Sequence, residues 1–199
     1  MEIKIVFSTI SVIGISFGSV PYLRDIWRRK TEPHLYTWFI WVITQGTVAA
    51  AAWYGGAGFG AVSLTIGVFI NFVFFILSLK YGTKNITKID TVMFVATLLA
   101  ILVWWGLDNP ILSVFMVTVI DLIGGYFPSF RKSYAEPWSE TVFSWLIWAV
   151  ANMFAILAVE QYNFLTMPYL VMIASANLIL ALICIWRRRT ILKPSSWPV

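Results

Sequence analysis

The chain repeats one pattern along most of its length: an apolar run of about twenty residues, then a short polar or basic segment. Such runs lie at 5–23, 35–53, 60–79, 90–106, 110–128, 140–159 and 167–186. They do not show the alternating polarity of ~10-residue barrel strands. Each is apolar on all sides, so the pattern predicts helices in hydrocarbon rather than helices on the surface of a soluble core. A bilayer core of ~30 Å is crossed by ~20 helical residues. The expected fold class is therefore all-α integral membrane, with seven transmembrane helices and little chain left for a soluble domain. The first run is not expected to be a cleaved signal peptide. Met1-Glu2-Ile3-Lys4 is charge-balanced, and the run is too long for an h-region.

Composition agrees. The chain is 60% hydrophobic and 12% charged, whereas soluble domains carry about 25% charged residues. A disordered chain and a nucleic-acid-binding domain are excluded, and no nucleic-acid partner is expected. The net charge of +5 reads instead as a topology signal, with a solvated basic patch that binds anionic lipid headgroups as the second possibility. Arg24, Arg28, Arg29 and Lys30 follow the first run, and Lys80, Lys84 and Lys88 the third. Arg131 and Lys132 follow the fifth, and Arg187, Arg188, Arg189 and Lys193 the seventh. With seven spans all of these fall on one side, and only Lys4 on the other. The positive-inside rule then puts the amino terminus outside and the carboxyl terminus in the cytosol. The short loops point to a prokaryotic cell membrane. Trp27, Trp38, Trp138 and Trp186 near the basic ends, and Trp53, Trp104 and Trp105 near the opposite ends, are expected as interfacial belt residues.

Sliding the chain against itself by 107 residues aligns Gly18 with Gly125, Pro21 with Pro128 and Arg24 with Arg131. Trp38 meets Trp145, Trp41 meets Trp148, and Gln45 meets Asn152; with a one-residue shift, Asn71 meets Asn177. The offset crosses an even number of spans, so the halves share one orientation. The expected organisation is 3+1+3: a first triple-helix bundle at 1–89, a linker helix at 90–109, and a second bundle at 110–199 with a short tail.

The stretch Val20-Pro21-Tyr22-Leu23-Arg24-Asp25, running into Arg28-Arg29-Lys30-Thr31, resembles the loop of the PQ-loop family. Phe127-Pro128-Ser129-Phe130-Arg131-Lys132-Ser133 is a shorter second copy. The arrangement is similar to that of the SWEET (MtN3) sugar transporters of the same superfamily. Tyr22 and Ser129 stand where that family has glutamine, and Trp38 and Trp145 lie near its second-helix proline. The resemblance implies transport by alternating access between two bundles. It further implies that Asn71 and Asn177 contact the substrate, and that Trp53 corresponds to a tryptophan beside the sugar.

The residues themselves give a compatible reading. At ~1.5 Å per residue, Asn71, Asn177, Gln45 and Asn152 fall near the midpoints of their runs. Polar groups in hydrocarbon must pair or line a wet cavity. Amides both donate and accept, which suits a small polar solute such as a sugar or an amino-acid-like molecule. The alternative is that they join helices to one another. Asp121 is the one acid deep in a run, a candidate for proton coupling or for a protonated structural carboxyl. Pro21 and Pro128 each remove a helical hydrogen bond and are candidate hinges. Gly14, Gly18, Gly124 and Gly125 would admit close helix approach. Glu160, at a run's end, is expected to be solvated, and Cys184 to pack.

No metal site, cofactor or catalytic residue is expected. His34 is the lone histidine and lies in a loop, no Walker-type loop is present, and no lysine within a run could form a Schiff base. The chain reads as a non-enzymatic transporter. The alternative is a SWEET-like receptor or trafficking protein that binds a ligand without moving it. Association into a homo-oligomer is left open.

Overall fold

A computed structural model describes residues 2–106 and 109–193. The described chain is helical and contains no strand. The helices are α1 (Glu2–Trp27), α2 (Leu35–Tyr54), α3 (Gly60–Tyr81), α4 (Lys88–Trp105), α5 (Pro110–Ile120), α6 (Phe127–Ala135), α7 (Val142–Ala158) and α8 (Pro168–Arg187). A π-helical segment, Asp121–Tyr126, joins α5 to α6. Pro110–Ala135 is thus one rod, longer than the run predicted at 110–128. Among the described residues, five helices are long and apolar enough to cross a membrane: α1, α2, α3, α8 and the Pro110–Ala135 rod. The chain is in this sense a multi-pass membrane protein. Helix α7 is apolar but has 17 residues, a rise of ~26 Å.

Local signals set the helix ends. Asn109 accepts the Leu112 N–H at 3.0 Å, and Pro110 fills the first turn of α5. Thr87 and Asp90 form a reciprocal capping box at the start of α4. The turn after α2 needs positive φ at Gly56 and Gly58, which glycine adopts without steric cost.

Large apolar side chains lie on the outside as well as in the core. Helix α1 buries Ser8, Ser11, Ile15, Gly18 and Tyr22, at helical spacing. It exposes Ile10, Ile13, Phe17 and Val20. Phe69, Leu102, Phe115 and Met153 are likewise exposed on other helices. Small and hydroxyl side chains face inward, where backbones must approach, and large apolar ones face outward, as hydrocarbon surroundings require.

Helix α1 packs most extensively against α7, and α2 against α3 and the Pro110–Ala135 rod. The α1–α7 contact depends on glycine. A Cβ at Gly14 would stand 2.9 Å from Ala151 Cβ, and one at Gly18 would stand 2.9 Å from Trp148 Nε1. Gly124 abuts Thr97 of α4, and Gly125 abuts Trp41 of α2. Helix α4 also stacks Phe94 on Tyr36, with centroids 4.2 Å apart. Its outer face carries Val92, Val95, Leu99 and Leu102.

Two Gly→Ala substitutions that add the same methyl should therefore have opposite signs. Gly46 has only Val68 near its Cβ position, at 3.9 Å, so Gly46→Ala should stabilise by up to about 1 kcal/mol through helix propensity. Gly18→Ala should destabilise by about 1–3 kcal/mol through overpacking. Thermal unfolding in detergent measures both, and equal shifts would refute the close α1–α7 contact.

Candidate functional site

The four midspan amides meet. Gln45 of α2, Asn71 of α3, Asn152 of α7 and Asn177 of α8 are all buried and line one cavity of about 50 Å³. Trp41, Trp148, Tyr126 and Ile15 complete much of its wall. Asn71 Nδ2 donates to Gln45 Oε1 at 2.8 Å, and Gln45 Nε2 donates to the Leu64 carbonyl at 3.0 Å. Gly67 makes room for this: a Cβ there would collide with the Gln45 amide. Across the cavity, Tyr126 donates its hydroxyl to Asn177 Oδ1 at 2.7 Å, and Asn152 Nδ2 donates to the Trp148 carbonyl at 2.8 Å. Asn71 Oδ1, Asn152 Oδ1 and Asn177 Nδ2 have no partner among the described residues. They supply two acceptors and a donor to the cavity. Gln45, with its oxygen and one N–H engaged by protein, orients Asn71.

Trp53 does not belong to this site. It is half exposed and bonds Thr65 Oγ1 at 3.0 Å through Nε1. Its exposure fits the belt position, as does that of Trp27 and Trp186. Trp38 departs from the belt expectation, because it is 2% exposed. The side chains of Trp104 and Trp105 lie outside the described residues. Trp138 is half-buried, with its indole N–H on the Ile191 carbonyl at 2.9 Å.

Trp38 belongs to an aromatic floor that sequence reading missed. Trp38 and Trp145 lie 6.5 Å apart at 26°, and Tyr22 packs against both and against Phe74 and Trp148. The signal was the Trp-x-x-Trp spacing, Trp38/Trp41 and Trp145/Trp148, which puts both rings of each pair on one helix face. Aromatic edge-to-face pairs such as Trp145–Trp148, at 5.0 Å and 87°, add ~0.5–1.5 kcal/mol beyond their buried area.

Beneath the floor lies a polar latch. Trp145 Nε1 donates to Glu140 Oε2 at 3.0 Å, and Glu140 Oε1 pairs with Lys132 Nζ at 2.6 Å. Lys132 also donates to the Glu32 carbonyl. Thr141 links to Thr31 at 2.5 Å and donates to Asp25 at 3.0 Å. The segment after α1 is thereby tied to the segment before α7. The opposite end is closed too. Ser8 bonds the Phe59 carbonyl at 2.8 Å, Asn163 bonds the Gly55 carbonyl at 2.9 Å, and Lys4 bonds the Val159 carbonyl. Glu160 is exposed, and its backbone N–H reaches the Ala57 carbonyl.

Asp121 lies outside the amide cavity, fully buried at the start of the π-helical segment. Thr44 donates to Oδ1 at 2.5 Å, while Oδ2 has no hydrogen-bond partner. The Tyr169 hydroxyl, also unpartnered, is a neighbour. A Cβ at Gly125 would stand 3.3 Å from Asp121 Oδ1 and collide with Trp41 Nε1. The carboxyl and the Trp41 indole, which lines the cavity, thus both approach Gly125. Pro21 sits inside a continuous α1, whereas Pro128 is the second residue of α6, just past the π-helical segment, so the paired prolines occupy different backbones. Cys184 is buried in the apolar core.

His34, expected in a loop, precedes α2 and is buried there, with Nε2 3.7 Å from Asp90 Oδ2. Asp90 is held by a two-pronged pair with Arg131, at 2.6 and 2.9 Å. Burial pushes the imidazole pKa down from 6.5 to about 4, against the pull of Asp90, with Lys132 and Arg131 adding to the depression. Comparison with family models, with curated proteins and with solved structures yields no match.

The latch and the imidazole give two measurements. Lys132→Met should cost about 3–5 kcal/mol by leaving Glu140 buried and unpaired, and Lys132→Met with Glu140→Leu should cost less than the single change. Thermal unfolding of the three proteins tests this ordering. His34 has a folded pKa below its unfolded value, so the unfolded chain takes up the proton first. Its contribution to stability should be flat above pH 6.5 and fall by about 3 kcal/mol as pH drops to 4. His34→Gln should remove that part of the slope in unfolding midpoints measured between pH 8 and 4.

Proposed function

We propose that the protein is a transporter of a small, neutral or zwitterionic polar solute, working by alternating access between two like-oriented triple-helix bundles. The observation that carries this reading is the convergence of four amides, in two sequence-related pairs, on one cavity with an aromatic floor. Gln45 and Asn152 come from α2 and α7, and Asn71 and Asn177 from α3 and α8. The packing of α1 on α7 and of α2 on the Pro110–Ala135 rod supports a pseudo-twofold relation, since each contact joins a first to a second helix of opposite halves. In this reading all seven apolar helices span the membrane, and the basic ends of the helices face the cytosol. The PQ-loop and SWEET resemblance supports the same topology.

Substrate class follows from the lining. No carboxylate, ammonium or guanidinium lines the cavity, so a net-charged solute would be buried without a counter-ion, at high cost. Hydroxyls or paired charges could use the free amide groups, and the faces of Trp41 and Trp148 suit a sugar-like ring. The cavity of about 50 Å³ has room for one or two waters at ~30 Å³ each. That is too small for a sugar or an amino acid, so loading requires the bundles to part. Pro21 in α1 and the π-helical segment beside Pro128 are the places where the backbone yields most readily. Asp121, buried near Gly125 and outside the cavity lining, is the candidate for proton coupling.

Counterflow in proteoliposomes, with labelled sugars and neutral amino acids, tests the proposal. Saturable exchange is expected for at least one solute. Asn71→Ala and Asn177→Ala should each reduce it by tenfold or more, the cost of ~1.4 kcal/mol or above for a lost buried hydrogen bond. Normal exchange by both variants would refute the site. Saturable binding without exchange would favour the receptor reading instead. Asp121→Asn should flatten the pH dependence of uptake, and an unchanged profile would remove the proton-coupling role.

A further inference from the structure

A second cavity, of about 550 Å³, opens at the basic end of the bundle. It lies between the last turns of α1, the segment leading into α7 and the residues after α8, and it shares no lining residue with the amide cavity. Its volume falls in the ~300–1,000 Å³ range of small-ligand pockets. Its wall has two parts. Phe17, Val20 and Phe143 form an apolar part and continue onto the exposed flanks of α1 and α7. Arg24, Lys30, Arg188 and Lys193 bring four cations to the other part.

The two acids in the wall compensate only part of that charge. Glu140 is already neutralised from behind by Lys132, which does not line the cavity. Asp25 is shared between Arg24, at 3.0 Å, and Thr141. Arg188 donates to the Pro137 and Glu140 carbonyls, at 3.0 and 2.7 Å, and lies over the Trp138 ring. It is therefore held in place rather than dangling in solvent. The Lys30 and Lys193 ammonium groups make no hydrogen bond among the described residues.

We propose that this cavity binds the headgroup of an anionic phospholipid. The phosphate sits among Arg24, Lys30 and Lys193, and an acyl chain follows the exposed apolar strip of Phe17, Val20 and Phe143 into the bilayer. A basic pocket at a helix end fits a phosphate, but a free phosphate would leave the adjoining apolar wall unused. The lipid would bridge α1 to α7 beside Pro21, which also lines the cavity.

The test is lipid binding to the purified full chain in detergent, read by native mass spectrometry and by thermal shift. Phosphatidylglycerol is expected to bind at least about tenfold tighter than phosphatidylcholine. Lys30→Gln with Lys193→Gln, which removes no internal hydrogen bond, should abolish that preference. Lys84→Gln with Lys88→Gln, an equal loss of charge outside the cavity, should preserve it. Glycerol 3-phosphate at matched concentration should produce no shift. The proposal is overturned by equal binding of the two lipids, by equal losses in the two double variants, or by a glycerol 3-phosphate shift matching that of the lipid.

Discussion

A polar group surrounded by hydrocarbon has to find its partner inside the protein, and the architecture of this chain follows from that constraint. It explains why α1 turns Ser8, Ser11 and Gly18 inward and leaves Ile13 and Phe17 outside. It also explains why the amides of four helices meet in one place. Each would be costly against lipid, and each becomes tolerable when a neighbouring amide, a tyrosine hydroxyl or a backbone carbonyl takes one of its bonds. The lone pairs and N–H groups left over then face a shared cavity. A stability requirement has thereby left unpaired amide groups facing one cavity.

The same constraint governs closure of the cavity at the basic end. Four tryptophans and Tyr22 could form a floor by packing alone, but Trp145 carries an indole N–H that needs an acceptor once buried. Glu140 supplies it, and a buried carboxylate needs a cation in turn, which Lys132 provides. The lysine then reaches across to the Glu32 carbonyl. The need for each buried polar group to be satisfied passes from the floor to the loops and joins the segment after α1 to that before α7. A floor built in this way is held by several bonds that depend on one another, so it resists gradual deformation.

Much of this was legible in the sequence, for reasons that can be stated residue by residue. The apolar runs marked the helices because hydrocarbon length and backbone satisfaction leave few alternatives. Gln45, Asn71, Asn152 and Asn177 could be singled out because a polar residue in the middle of an apolar run stands out against its surroundings. Trp53 and Trp38 were misjudged for a common reason. A tryptophan near a helix end serves equally as an interfacial anchor or as core, and only the direction of the side chain distinguishes them. Trp53 points outward to Thr65, and Trp38 points inward to Tyr22. The buried state of His34 and the latch around Glu140 rest on contacts between residues far apart in sequence, which periodicity does not reveal.

The sequence by itself determined the helical class, the apolar exterior and the short inventory of polar groups that could serve a site, because each depends on local composition and on the period of a helix. The tertiary structure alone decided which tryptophans became floor, that Gln45 orients Asn71, that Asp121 is bonded by Thr44 outside the amide cavity, and that a basic cavity forms beside Pro21. These depend on which faces of distant helices meet, and glycines such as Gly18, Gly67 and Gly125 set how closely they do so.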